Sequence, residues 1–282
     1  GLGDVYKRQG VKGAGSSHKI GVGEPLGQFY GYISDGLYQV SDFNYDKASG
    51  KYTLKDGIPY RGEKDKVQPG MLKFKNIDGS EDNKITEDDK TVIGNAFPKF
   101  YGGINNTFTY KDFDLSIFLT YSFGNDVLNA TKLTNTRTAL TNKNVLAAAD
   151  WNHRWVTINK ETGALITDPE ELAAANQGKT IACFDDNGSS DNAVIHSWAV
   201  EDGSYLKLSN ITLGYTFPKK IVNKIGLSKL RLYATGNNLL TWTKYTGYDP
   251  EVSTMSNAMT PGVDFGAYPR SRSFVFGVNV AF

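Results

Sequence analysis

The sequence predicts an all-β protein, an antiparallel transmembrane β-barrel seen here as an open section of wall with long extracellular loops. Three observations predict it. The final stretch, SRSFVFGVNVAF, places large apolar side chains at alternate positions, Phe274, Phe276, Val278, Val280 and Phe282. A period of two marks a strand with one oily face, and roughly 10 residues suits a tilted bilayer crossing better than the ~5–6 of a soluble sheet. Residues 99–110 and 113–123 repeat the pattern as a hairpin joined only by Lys111 and Asp112. Connections along the chain then alternate, short at 111–112, long at 124–203, short at 218–228, long at 241–270. Bacterial barrels alternate short periplasmic turns with long external loops in this way. The same alternation puts the C-terminal Phe282 on the periplasmic side.

Composition sets outer bounds. The chain has 282 residues, with 31 Lys+Arg against 30 Asp+Glu, a net charge of +1 that offers nucleic acid no electrostatic footing. No run approaches the ~18 apolar residues of a membrane helix, which excludes helical spans and leaves alternating strands untouched. The single Cys183 has no internal disulfide partner, and the three histidines, His18, His153 and His196, lack zinc-ligand spacing. Residues 1–9, GLGDVYKRQ, read as adaptor-like sequence outside the native chain, so 10–282 carries the fold argument and extends a protein that begins further upstream.

Taken in order, a Gly-rich opening gives a short strand near Ile20, then an aromatic segment with Phe29, Tyr30, Tyr32 and Tyr38 folding as a loop against the wall. Residues 40–68 have loop composition, and 72–76 form a short strand. In the hairpin, Phe113, Leu115, Ile117, Leu119, Tyr121 and Phe123 share one face, while Phe100, Ile104, Phe108 and Tyr110 share the matching face of the first arm. The opposite faces are rich in Ser, Thr and Asn, as a watery lumen requires. Residues 124–202 make a long external loop with a short helix expected within 142–155 and turns at 173–188. Strand 204–217 points Ile211, Leu213, Tyr215 and Phe217 outward. A basic connection with one helical turn near 221–224 leads into strand 229–240, then a loop, then the closing strand. Arg231 falls on the lumen face.

The acidic stretch 78–89, DGSEDNKITEDD, has EF-hand-like spacing: Asp78, Ser80, Asp82, Lys84 through its carbonyl, Thr86 and Asp89 at positions 1, 3, 5, 7, 9 and 12. Asn83 stands where Gly is usual and Asp89 where a bidentate Glu is usual. Two readings stay open, a calcium loop or a solvated acidic turn. No other cofactor motif is present.

The runs EDGSYLKLSNITLGYTFPKK, LRLYATGNNLLTWTKYTGYDPEV and YPRSRSFVFGVNVAF, with PLGQFYGYISDGLYQ and FPKFYGGINNTFTYKDFDLSIFLTYSFGNDVLN upstream, resemble the C-terminal barrel of SusC/RagA-type TonB-dependent outer-membrane transporters. The resemblance covers most of 23–282. It implies a longer parent chain with an N-terminal plug and TonB box, both lacking here, and a closed barrel of about 22 strands. It also implies a SusD-like surface lipoprotein as partner, the TonB complex as energy source, and an oligosaccharide or peptide as ligand.

For such a transporter the loop aromatics Trp242, Tyr245 and Tyr248 are candidate ligand contacts, because flat rings stack on sugar faces; the alternative is that they belong to the interfacial girdle or brace a loop. Arg231 pairs, on this reading, with carboxylates of the plug. Rival classes are a secreted β-sandwich adhesin or glycan-binding module and a surface glycoside hydrolase. The sandwich is disfavoured by strand length, and the hydrolase by acids concentrated in loops (78–89, Asp185, Asp186 and Asp191), with Asp114 the only acid on a strong strand, and by the lack of a nucleophile elbow, HExxH or P-loop. The expectation is therefore not an enzyme.

Overall fold

The computed structural model describes residues 6–11, 15–136, 144–182, 194–254 and 258–282. Cys183, Asp185, Asp186 and Asp191 lie outside the described residues. Five long strands form one antiparallel sheet, in spatial order the same as chain order. They are β1 (Phe100–Tyr110), β2 (Phe113–Phe123), β3 (Tyr205–Thr216), β4 (Lys229–Thr243) and β5 (Ser273–Ala281). Lys111 takes a left-handed φ of 53° in the turn between the first two, the conformation that lets so short a connection reverse a twisted ribbon.

Register makes the alternation into rows. Tyr110, Phe113, Tyr215, Leu232 and Val278 lie side by side across all five strands, and the next row runs Phe108, Leu115, Leu213, Ala234, Phe276. Among the described residues no layer lies over these rows: Phe276 keeps 81% of its surface exposed and Phe113 49%. An apolar face this wide left bare is unusual for a protein whose solvent is water. The inner rows are polar, Asn105–Phe118–Asn210–Asn237–Ser273 and Thr107–Ser116–Thr212–Thr235–Val275. Hydrogen bonds run across them, from the Asn210 amide to Asn237 at 2.8 Å and between the Thr212 and Thr235 hydroxyls at 2.8 Å.

β3 carries a bulge. Against β2 the register shifts between Phe118 and Leu119, leaving Ser209 as the extra residue of β3, its hydroxyl 2.6 Å from that of Thr120, while on the other side Ser209 faces two residues of β4, Asn238 and Leu239. One extra residue inverts facing beyond it. Leu206 and Leu208 therefore join the outer face with Tyr121 and Leu119, and Tyr205 and Lys207 turn inward.

The remaining chain packs at the strand ends away from the 111–112 turn and has its own core. Phe29, Leu128, Ala130, Leu133, Ile195, Ala199 and Val263 form its largest buried cluster. Several elements here depart from expectation. The aromatic segment is a strand, Gln28–Tyr32, paired with an unforeseen strand Lys90–Asn95 in a four-stranded sheet that also holds Gly15–Ile20 and Tyr6–Val11. Its alternation is masked because both faces are buried around Phe29 and Tyr32.

Within 40–68, Phe43–Asp46 and Lys51–Leu54 form a hairpin. The helix expected in 142–155 is, over the described residues, one 3-10 turn at Ala147–Ala149. An α-helix instead occupies Pro169–Ala175, where Asp168 accepts from the Glu170 and Glu171 amides and Pro stands at the first helical position. The strand Leu72–Phe74 and the helical turn, Lys219–Val222 continued by Asn223–Ile225, are where the sequence places them.

Candidate functional site

The lumen face of the wall carries Arg231, Asp114 and Lys207 in ion pairs. Arg231 on β4 reaches across β3 to Asp114 on β2, with the guanidinium Nε donating to Oδ1 at 3.0 Å and Nη2 to Oδ2. Arg231 thus finds its carboxylate within the wall, which corrects the expectation that its partner lies in the plug. Neighbouring strands stand only ~4.8 Å apart, so a long side chain spans two of them easily.

Nearer the loops, the bulge directs Lys207 and Tyr205 onto one loop carboxylate. The buried Lys207 ammonium donates to Glu251 at 2.6 Å, and the Tyr205 hydroxyl donates to its other oxygen at 2.7 Å. Arg270 adds contacts to Glu251 at 3.3 Å and to Asp249 at 3.4 Å. Burial alone would raise the Glu251 carboxyl, but these donors outweigh it and hold it below the usual carboxylate range. Beside this cluster a hollow of about 250 Å³ opens between the wall residues Lys207, Thr241 and Thr243 and the loop residues Tyr248, Arg270 and Arg272. A larger one, of about 500 Å³, lies in the loop mass between Ser34, Asp35, Lys73, Lys179 and Trp198.

The three candidate aromatics are not brought together. The strand β4 runs past residue 240 to Thr243, so Trp242 stands on the outer apolar face opposite Leu206. Tyr245 is 5% exposed, and its hydroxyl donates to Asp264 at 2.6 Å; burial first and the adjacent carboxylate second push its phenol far up. Tyr248 is 74% exposed and lines the smaller hollow.

A second polar hub ties the loops. Glu201 accepts from the Thr246 amide at 2.9 Å, from the Thr246 hydroxyl and from Lys132 at 3.1 Å. Burial opposes its charge, yet these bonds keep its carboxyl low. Lys207 and Glu201 were missed in the sequence, and Asp249-Pro250-Glu251, which reads there as a turn beside Pro rather than an acidic site, supplies the carboxylate that Lys207 and Tyr205 bind. Lys207 left a trace, a lone cation inside a strand of otherwise neutral residues.

The acidic loop turns its oxygens onto its own backbone. Asp89 is fully buried and accepts from the amides of Ile77 at 2.8 Å, Asp78 at 3.2 Å and Thr86 at 2.7 Å. Asp82 accepts from the Ser80 hydroxyl and the Lys84 amide, and Asp78 from the Ser80 amide. Asn83 takes the left-handed φ of 55° that the turn requires. Among the described residues, no group of three or more His, Cys, Asp or Glu is placed to hold a metal ion.

A sheet with a bare apolar exterior, a polar interior with paired ions, and loops massed at one end is the wall of a transmembrane β-barrel. No family model matches the chain. A TonB-dependent receptor of Formosa agariphila is 33% identical over 265 residues, 92% of this chain and 22% of that protein. A second receptor of that organism is 28% identical over 284 residues, 92% of this chain and 25% of its own length. The TonB-dependent receptor SusC of Bacteroides thetaiotaomicron is 26% identical over 208 residues, 73% of this chain and 17% of SusC. Among solved structures, the RagAB peptide transporter matches with a TM-score of 0.56 at 21% identity over 94% of this chain and 23% of the other, and its importer form in the open-open state with 0.56 at 22% over the same shares. The homologues of this chain are thus TonB-dependent receptors of the SusC type. The chain spans about a fifth to a quarter of the length of the relatives it matches most fully.

Proposed function

We propose that this wall belongs to an outer-membrane importer that takes up an oligosaccharide or peptide, driven through TonB and lidded by a SusD-like lipoprotein. The carrying observation is the row Phe108, Leu115, Leu213, Ala234, Phe276, bare across five strands while the opposite face holds paired ions and hydroxyls. Hydrocarbon is the solvent that such a face suits. The named relatives are receptors and transporters, which supports a role in carriage and none in bond chemistry.

On this reading the loops face the cell exterior and the 111–112 and 218–228 turns face the periplasm. The hollow beside Tyr248 and Arg270 is then a ligand-contact surface at the lumen mouth, and Trp242 belongs to the aromatic girdle. The test is uptake by a strain carrying the complete receptor. Labelled oligosaccharide and labelled peptide pools are offered with and without TonB. Accumulation of one pool that stops without TonB is expected; equal accumulation in a strain lacking the receptor would overturn the proposal.

A further inference from the structure

The connection between β3 and β4 carries surface that neither the fold nor transport uses. Pro218 opens it, Lys219–Val222 and Asn223–Ile225 make one α-helical and one 3-10 turn, and Gly226 closes it at a left-handed φ of 75°. It is tied to the wall at its two ends by backbone bonds, Phe217 to Leu230 at 2.9 Å and Ser228 to Ala281 at 2.8 Å, and closed on itself by Leu227 to Val222 at 3.1 Å. Val222 is buried beneath it, so seating the turn leaves other side chains outside. Ile221 is 54% and Ile225 65% exposed. Four residues apart on a helical path, they sit on one side. Lys220 and Lys224, with the same spacing, form an exposed row beside them, and Lys219 is exposed as well.

Charge at this end of the sheet is one-sided. The two turns contain Lys111, Lys219, Lys220 and Lys224 against the single Asp112. Among the described residues none of the four ammonium groups lies in a salt bridge, although ion pairs occur throughout the loops. Lys111 sits 5.3 Å from the ring centre of Tyr110, which begins the outermost apolar row with Phe113 and Tyr215. The cations therefore border the apolar face where it ends.

We infer that this turn is a lipid-docking surface, with Ile221 and Ile225 dipping into the acyl boundary and Lys111, Lys219, Lys220 and Lys224 binding the phosphates of anionic phospholipid. A short amphipathic segment with isoleucines flanked by lysines suits the plane of an interface, and each lysine near an anionic surface adds attraction that salt screens. Lipid is favoured over protein as the occupant because the lysines, set against the single Asp112, complement an anionic surface, and Lys111 stands beside Tyr110 where the bare rows end. Its role is to fix the height of the wall in the membrane and to hold the turn against the bilayer while the lumen contents change.

The inference rests on the membrane reading, so the test separates the two. The complete receptor carries a bimane label at Ile225→Cys or, as control, at Phe276→Cys, and is reconstituted in vesicles of brominated lipid with or without phosphatidylglycerol. Quenching at both positions is expected. Replacing Lys219, Lys220 and Lys224 with Gln should reduce quenching at 225 at least twofold in phosphatidylglycerol vesicles and leave it unchanged at 276. Quenching at 276 but not at 225 overturns the docking surface and leaves the wall standing; quenching at neither overturns the membrane reading. A label at 225 that is shielded from aqueous iodide yet unquenched by lipid means that a protein covers the turn, which also overturns the inference. Indifference to the lysine changes removes the anionic-headgroup assignment.

Discussion

Arg231 and Asp114 meet over Gly214. The ion pair bridges from β4 to β2, and the strand between them contributes a residue with no side chain. A Cβ at Gly214 would collide with the guanidinium and with both carboxylate oxygens. The pair and the gap beneath it are one feature, and it ties three strands on the side away from lipid.

Substituting Gly214→Ala should therefore break a contact it does not make. Asp114→Ala, Arg231→Ala and the double variant, measured by heat-modifiable gel migration of the complete receptor, should show a coupling of about 1 kcal/mol, since both groups remain partly solvated. Gly214→Ala should cost as much as either single change. Independent, additive effects would show that the pair carries no net stability.

Opposite faces of β5 should answer differently to charge. Phe276→Lys puts an ammonium on the bare outer face, at a cost of about 2–4 kcal/mol near the bilayer midplane. Val275→Lys puts it among Thr235 and Thr212 on the inner face, where water is available. Yield of folded receptor in the outer-membrane fraction should drop sharply for the first and stay near wild type for the second. The reverse order would invert the assignment of faces.

Tyr245 and Tyr248 should separate stability from ligand contact. Tyr245→Phe leaves a buried oxygen of Asp264 without its donor and should destabilise the loop mass by about 1–3 kcal/mol. Tyr248→Ala, at the surface, should change stability by less than ~0.5 kcal/mol while weakening retention of the imported ligand. Protease resistance and ligand binding on the two variants check this, and a Tyr248 variant that binds normally removes that ring from the site.

His196 should make the loop mass acid-sensitive. It is buried between Phe74 and Trp198, and burial, aided by Lys132, pushes its imidazole down to about 4. An unfolded histidine takes its proton near 6.5, so between about 6.5 and 4 the unfolded state binds more protons. Stability is then full above about pH 6.5 and falls as pH drops through that window, by roughly 3 kcal/mol. Hydrogen exchange in the strands Gln28–Tyr32 and Asp126–Asn129 should quicken over this range, and His196→Phe should reduce the dependence, leaving the part due to His18, which is buried against Phe29 and likewise held down by burial. The low-lying carboxyls of Glu201 and Glu251 add to the loss at the acid end of this window and below it, as pH falls past the ordinary glutamate value.

Asp89 should matter through amides. Asp89→Ala strands three backbone donors and should cost at least ~2 kcal/mol locally, whereas EGTA should leave the protease resistance of 76–90 unchanged. A calcium-dependent shift in that resistance would show that the loop reorganises around the cation.

The strands of the wall, their faces and the positions of short and long connections were legible in the sequence, because a strand with lipid on one side and water on the other writes its environment into alternate residues. Phe113 to Phe123 and Phe274 to Phe282 carry that signal without help from any neighbour. The loop mass carries no such signal. Gln28–Tyr32 and Lys90–Asn95 are strands only because each finds the other across about sixty residues of chain, and burial on both faces of Gln28–Tyr32 erases the period that would have announced it.

Tertiary structure alone decided where the charged and aromatic groups go. Simple alternation from Ile211 would send Lys207 into lipid; the extra residue at Ser209 turns it to Glu251, and a bulge leaves no mark in residue type. Trp242, Tyr245 and Tyr248 look alike in sequence, yet one lies on the outer wall, one under the loops and one at the lumen mouth. Local pattern reports the solvent on each side of a strand, while contacts between distant segments depend on a register that only the assembled sheet possesses.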